Sequence, residues 1–138
     1  MEISNLVDYE QLFALELKHP KTDEPLGITF QIRSSGSERA KEVQRKHTDK
    51  NLERLMKRKT LTSDRVETEE LEKAASYIAS WDWGSDPKTG EPNLYAGTVP
   101  ELTMKTAIAI LDKEGWIFGQ VVEAASKLEN FSTDSRKS

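Results

Sequence analysis

The chain has 138 residues, a net charge of -4 at pH 7, no cysteine and two histidines, with 36% hydrophobic and 32% charged residues and a mean hydropathy of -0.68. That length suits one domain with a modest core, and the lack of cysteine removes disulfides, thiolate metal sites and thiol nucleophiles. The acidic balance argues against a surface given over to nucleic acid, and His19 and His47, isolated from each other, do not make a zinc site.

The start, M-E-I-S-N-L-V-D, has no basic leader with an apolar run behind it, and no later run approaches the roughly 20 apolar residues of a membrane span, so a soluble cytoplasmic protein is expected. Phe13, Leu15 and Leu17, then Ile28, Phe30 and Ile32, alternate with polar or small residues, the period of strands buried on one face. The intervening H-P-K-T-D-E-P-L-G supplies turn chemistry, which predicts an antiparallel hairpin with a long loop. A lone hairpin is marginal in water, so its apolar face needs helices from later in the chain.

Ser35 and Glu38 stand at capping-box spacing before a weakly amphipathic helix running to about Lys59, with Ala40, Val43, Leu52, Leu55 and Met56 as its few apolar positions. The acid-rich D-R-V-E-T-E-E from Asp64 suits a helix start. From there Leu71, Ala74, Ala75, Ile78 and Trp81 keep helical spacing, which predicts a helix ending at Trp81. A loop rich in glycine and proline follows, with D-P-K-T-G as its turn. Thr98 and Glu101, again at capping-box spacing around Pro100, open a pair of helices divided at Gly115. In the first, Leu102, Thr106, Ala109 and Ile110 trace one face and Met104, Ala107, Ile108 and Leu111 widen it; in the second, Ile117, Val121, Ala124, Leu128 and Phe131 form the buried stripe. These elements make an α+β fold, mainly α, with an N-terminal antiparallel β-hairpin packed on a small helical bundle. A single domain over 1–131 is expected, with a disordered polar tail over 132–138.

The sharpest local anomaly is Arg39 to Lys59, with nine basic residues against three acidic ones. Within it, Arg45, Lys46 and Lys50 are candidate partner-binding residues. The Glu42–Lys46 and Glu53–Lys57 spacings favour a solvated, self-supporting helix or a face for an acidic partner, and the absence of interleaved aromatics disfavours stacking on bases. A contact with the acidic Asp64 to Glu72 stretch of a neighbouring subunit and phosphate binding are the alternatives. Trp81 is in register with a buried face and is assigned to the core. Trp116, Ile117 and Gln120, just after the helix break, are the other candidate contact residues, with packing as the competing role for Trp116. No carboxylate pair is coupled to a nucleophile or histidine base, and G-S-D-P-K-T-G lacks the order of a phosphate-wrapping loop, so neither catalysis nor a cofactor or metal is expected.

Pro20, Pro25 and Leu26 in the hairpin loop, Ala74 and Trp81, then Trp116, Ile117, Gln120, Val121 and Phe131 form a set of ordered motifs. By these motifs the chain, from Phe13 to Phe131, resembles the tail assembly chaperones of long-tailed bacteriophages. The family's loop commonly carries glycine where Asp23 stands, and the basic helix here is denser in charge than the family pattern. The resemblance implies a non-enzymatic protein that binds the tape measure protein and helps recruit tail tube subunits during tail morphogenesis. It also implies homo-oligomers around the tape measure, a second product extended by ribosomal frameshifting, action in the host cytoplasm and absence from the mature virion. A small nucleic-acid-binding adaptor using the basic helix, and a structural head or tail connector subunit, are the competing functions.

Overall fold

The alternation at the start of the chain produces two antiparallel strands, β1 (Phe13–Lys18) and β2 (Pro25–Ile32), in the computed structural model, which describes residues 2–56 and 63–133. Phe13 pairs with Ile32 and Leu15 with Phe30, so their apolar side chains share one face while Ala14, Glu16 and Lys18 are exposed. The loop between the strands is organised by His19, whose Nδ1 accepts the N–H groups of Lys21 and Thr22 at 3.1 and 3.2 Å. Asp23 there adopts φ +63°, in the left-handed region that glycine enters most readily.

Two helices follow, α1 (Glu38–Met56) and α2 (Ser63–Ser76). The cap of α1 is not the expected Ser35. Ser37 Oγ accepts the Ala40 N–H at 3.3 Å and Glu10 Oε1 accepts the Glu38 N–H at 2.8 Å, while the Ser35 N–H donates to Ala125 O at 2.9 Å. The acid-rich start of α2 is helical as expected, but the helix stops at Ser76, and Ile78–Asp82 is a third strand, β3, paired antiparallel with β2. The expected helix to Trp81 is therefore corrected. The outer edge of β2 presents N–H and C=O groups that need partners, and β3 supplies them through Thr29–Asp82, Phe30–Trp81 and Gln31–Ser80.

The sheet order is β1-β2-β3, leaving β1 and β3 at its edges. The chain leaving β3 then presses onto β2 at two glycines. A Cβ on Gly27 (φ +78°) would lie 2.0 Å from Ser85 O, and one on Gly84 (φ +52°) 2.1 Å from Gly27 O. Asn93 staples the same crossing, its Nδ2 donating to Leu26 O and Trp83 O at 2.8 Å each.

The C-terminal pair is α3 (Met104–Lys113) and α4 (Gly115–Ser126), divided where Gly115 predicts. The cap of α3 is Thr103, whose Oγ accepts the Thr106 N–H at 3.1 Å; Thr98 lies in a turn with Tyr95 instead. In α3 the buried positions are Ala107, Ile110 and Leu111, whereas Ala109 and Met104 are exposed. In α4 and the 3-10 turn Leu128–Phe131 that follows, Ile117, Val121, Ala124 and Phe131 are buried as the stripe predicts. Leu128 is exposed because the α-helix has already ended.

The core lies between the apolar face of the sheet and these helices. Leu17, Phe30, Ile32, Val121 and Phe131 are fully buried in it, α4 packs on β1 and β2, and α1 packs on α2 outside. An aromatic cluster of Phe30, Trp81, Trp83 and Tyr95 closes one end, with ring centroids 5.4 to 6.1 Å apart. Within it Trp83, in the stretch expected to form a loop rich in glycine and proline, is the buried tryptophan. Trp81 is half-buried, and its Nε1 donates to Pro100 O at 3.0 Å. The polar tail expected from Ser132 starts with two paired residues: Ser132 bridges Val7, and Thr133 donates from its N–H to Leu6 O at 3.0 Å. The remainder of that tail, 134–138, lies outside the described residues.

Candidate functional site

Helix α4, which carries three of the expected contact residues, meets β1 and the turn Leu128–Phe131 along one side of the molecule. Here β1 runs beside α4, and Phe13 packs edge-on against Phe131 at 6.5 Å. Between them lies an open groove of about 400 Å³, lined by Phe13, Leu15 and Ala124 at its floor and by Glu16, Lys18, Asp23, Glu123 and Lys127 around it.

Of the candidates on α4, Ile117 is 2% exposed and belongs to the core, which corrects its assignment as a contact residue. Trp116 is half-buried, packed against the core with part of its ring accessible. Gln120 turns inward. Its Oε1 accepts the Lys18 N–H at 3.0 Å and its Nε2 donates to Lys18 O at 2.9 Å, so the carboxamide is occupied by the backbone of β1. Trp116 and Gln120 both keep partial exposure, but the Gln120 carboxamide is already engaged.

Of the candidates on α1, Arg45 and Lys46 are exposed, and part of the helix's basic charge is neutralised within it. Arg45 Nη2 reaches Glu38 Oε1 at 2.9 Å and Arg39 Nη1 reaches Glu42 Oε2 at 3.5 Å, so Glu42 pairs one turn back with Arg39 and not with Lys46. The hydrogen bond and charge of Arg45 hold the Glu38 carboxyl below the usual glutamate range. Both pairs are more than half exposed, so solvent screens them and they add little stability. Lys46 is exposed. The side chain of Lys50 lies outside the described residues, as do Lys57, Arg58 and Lys59.

Two polar features escape the reading of the sequence. His47, which marks the gap in the apolar pattern of α1, is buried against α2. Its Nε2 is 2.8 Å from Glu72 Oε2 and its Nδ1 4.0 Å from Glu69 Oε1, an electrostatic contact without aligned hydrogen bonds. Its position at the centre of a weak apolar stripe was the only signal. Arg33, at the end of β2, donates from Nη1 to Ser76 O and Ile78 O at 2.9 and 3.2 Å. It thereby ties the C-terminus of α2 to the first residue of β3, a favourable place for a cation. Among the described residues no group of three or more histidines and carboxylates could hold a metal ion, and no helix is long and apolar enough to cross a membrane. The chain matches no protein family, no curated protein and no solved structure with which it was compared.

Proposed function

We propose that this chain is a tail assembly chaperone of a long-tailed bacteriophage, acting without catalysis to keep the tape measure protein soluble and to help recruit tail tube subunits. The observation that carries the reading is the convergence of the motif residues. Pro20 and Asp23 border the same groove as Gln120, and Gln120 grips β1. Ile117, Val121, Phe131 and Ala74 share one core, with Leu26, Trp81 and Trp116 packed against it. Residues spread from Pro20 to Phe131 thus build one unit, which fits motifs that act together. The left-handed backbone at Asp23 supports the resemblance as well, because the family's glycine belongs in that conformation.

Coating a long helical partner calls for many small apolar contacts on open surfaces. Trp116 is the contact residue of this reading, and an extended form would anchor on the tape measure while short copies gather along it by effective concentration. Co-expression with the tape measure protein encoded beside it tests the proposal. The partner is expected in the soluble fraction only with this chain and its frameshift-extended form present, and those substitutions at Trp116 that retain a normal melting curve are expected to weaken the complex. A partner equally soluble alone, or no complex on gel filtration in any combination, replaces this reading with the connector subunit.

A further inference from the structure

The free edge of β1 ends at an unusual hydrogen bond. Along a regular strand, backbone groups of alternate residues point to opposite edges. The pairing with β2 shifts register between Glu16 and Lys18, but the side chains of β1 keep strict alternation through it, so with the Lys18 N–H and C=O turned to Gln120 those of Glu16 and Ala14 are placed along the same outer edge. The Gln120 carboxamide satisfies a strand residue's donor and acceptor together, as a peptide group of a neighbouring strand would. It does so across 102 residues of sequence.

We propose that the β1 edge is a latent pairing surface for a second copy of this chain, and that the Gln120 carboxamide is the latch that keeps it closed. Charge selects the occupant. In antiparallel pairing about a twofold axis at Leu17, Glu16 of one copy stands opposite Lys18 of the other, twice over, on the exposed polar face of the sheet. A twofold axis one residue earlier would set Glu16 against Glu16. The favoured register uses the outward groups of Lys18, which Gln120 occupies. The open groove of about 400 Å³ beside β1 leaves room for the added strand's side chains over Phe13, Leu15 and Ala124. This is the protected edge expected of a sheet whose exposed strand would otherwise pair. The inference is independent of the function proposed above.

Sedimentation velocity over a concentration series, with amide hydrogen exchange at Lys18, tests it on the full chain. In the wild type the Lys18 amide is expected to be protected at every concentration. Gln120→Ala and Gln120→Leu are expected to strengthen self-association about tenfold or more, since opening the edge frees two hydrogen bonds per copy for pairing. Gln120→Leu keeps the apolar stem, so it carries the test if the alanine variant does not fold. Adding Glu16→Lys to Gln120→Leu is expected to abolish the dimer, and adding Lys18→Glu to that pair to restore it. A wild-type Lys18 amide that exchanges freely overturns the proposal, as does a dimer indifferent to these reversals. Folded Gln120 variants that stay monomeric also overturn it and leave the edge to a strand from another protein.

Discussion

Replacing Gly27 by alanine separates the cost of backbone conformation from the cost of a close approach. Gly27 has φ +78° and Gly90 has φ +74°, so an alanine at either meets similar left-handed strain, about 1–2 kcal/mol. At Gly90 the new methyl meets nothing within 4 Å, and that strain is the whole effect. At Gly27 it would sit 2.0 Å from the Ser85 carbonyl oxygen, with Ser85 C at 3.1 Å and Pro87 Cδ at 3.3 Å. Ordinary carbon-to-oxygen contacts begin near 3.3 Å, so the two backbones must part by about 1 Å. Neither is a side chain that can rotate away. The Asn93 bonds to Leu26 O and Trp83 O span this crossing, and each is worth about 1 kcal/mol. Gly27→Ala is therefore expected to lose about 3–5 kcal/mol, against about 1–2 kcal/mol for Gly90→Ala, out of a total of about 5–15 kcal/mol for a domain of this kind. Urea unfolding followed by tryptophan fluorescence reads the difference, because Trp81 and Trp83 adjoin the crossing, and the melting temperature should fall by roughly 10–15 °C. A Gly27→Ala protein no less stable than Gly90→Ala refutes the close approach.

Trp83→Ala is expected to cost about 3–5 kcal/mol as a buried aromatic, whereas Trp81→Phe, losing chiefly its bond to Pro100 O, costs about 1 kcal/mol; equal melting curves for the two would reverse the assignment of which tryptophan is core. Ile117→Asp places a carboxylate at a 2% exposed site and is expected to abolish soluble, helical protein, so normal yield and circular dichroism would contradict the core role. Under the chaperone reading the chain shows no gel shift with duplex or single-stranded DNA at about 150 mM salt, and a clear shift lost on charge reversal at Arg45, Lys46 and Lys50 would establish the adaptor instead. Burial raises the Tyr77 hydroxyl above its ordinary value of 10.0, more than the neighbouring Lys73 lowers it. Its contribution to stability is thus complete below the unfolded value and lost as pH rises from there through the folded one. Tyr77→Phe is expected to flatten that alkaline loss in pH-dependent melts, and an unchanged slope would contradict it.

The hairpin was legible because a period of two over two short runs has one structural solution: slipping either strand by a residue would expose Leu17, Ile28, Phe30 and Ile32. The break at Gly115 and most of the stripe from Ile117 to Phe131 were legible for the same reason at helical period. The stretch after Ser76 was not. Leu71, Ala74, Ala75 and Ile78 satisfy a helix, and only the open edge of β2, more than forty residues earlier, turned Ile78–Asp82 into a strand. Two plausible cap spacings were overruled in a similar way, Ser35 by its bond to Ala125 and Thr98 by its turn with Tyr95. On α4, the two roles weighed for Trp116 could be named by residue type, but the inward direction of Gln120 depends on a strand 102 residues away that no local pattern reveals. Periodicity encodes which face of a segment is apolar. Which backbone edge needs a partner, and which side chain satisfies it, exist only once the segments are assembled, since those hydrogen bonds join groups that sequence spacing does not bring together.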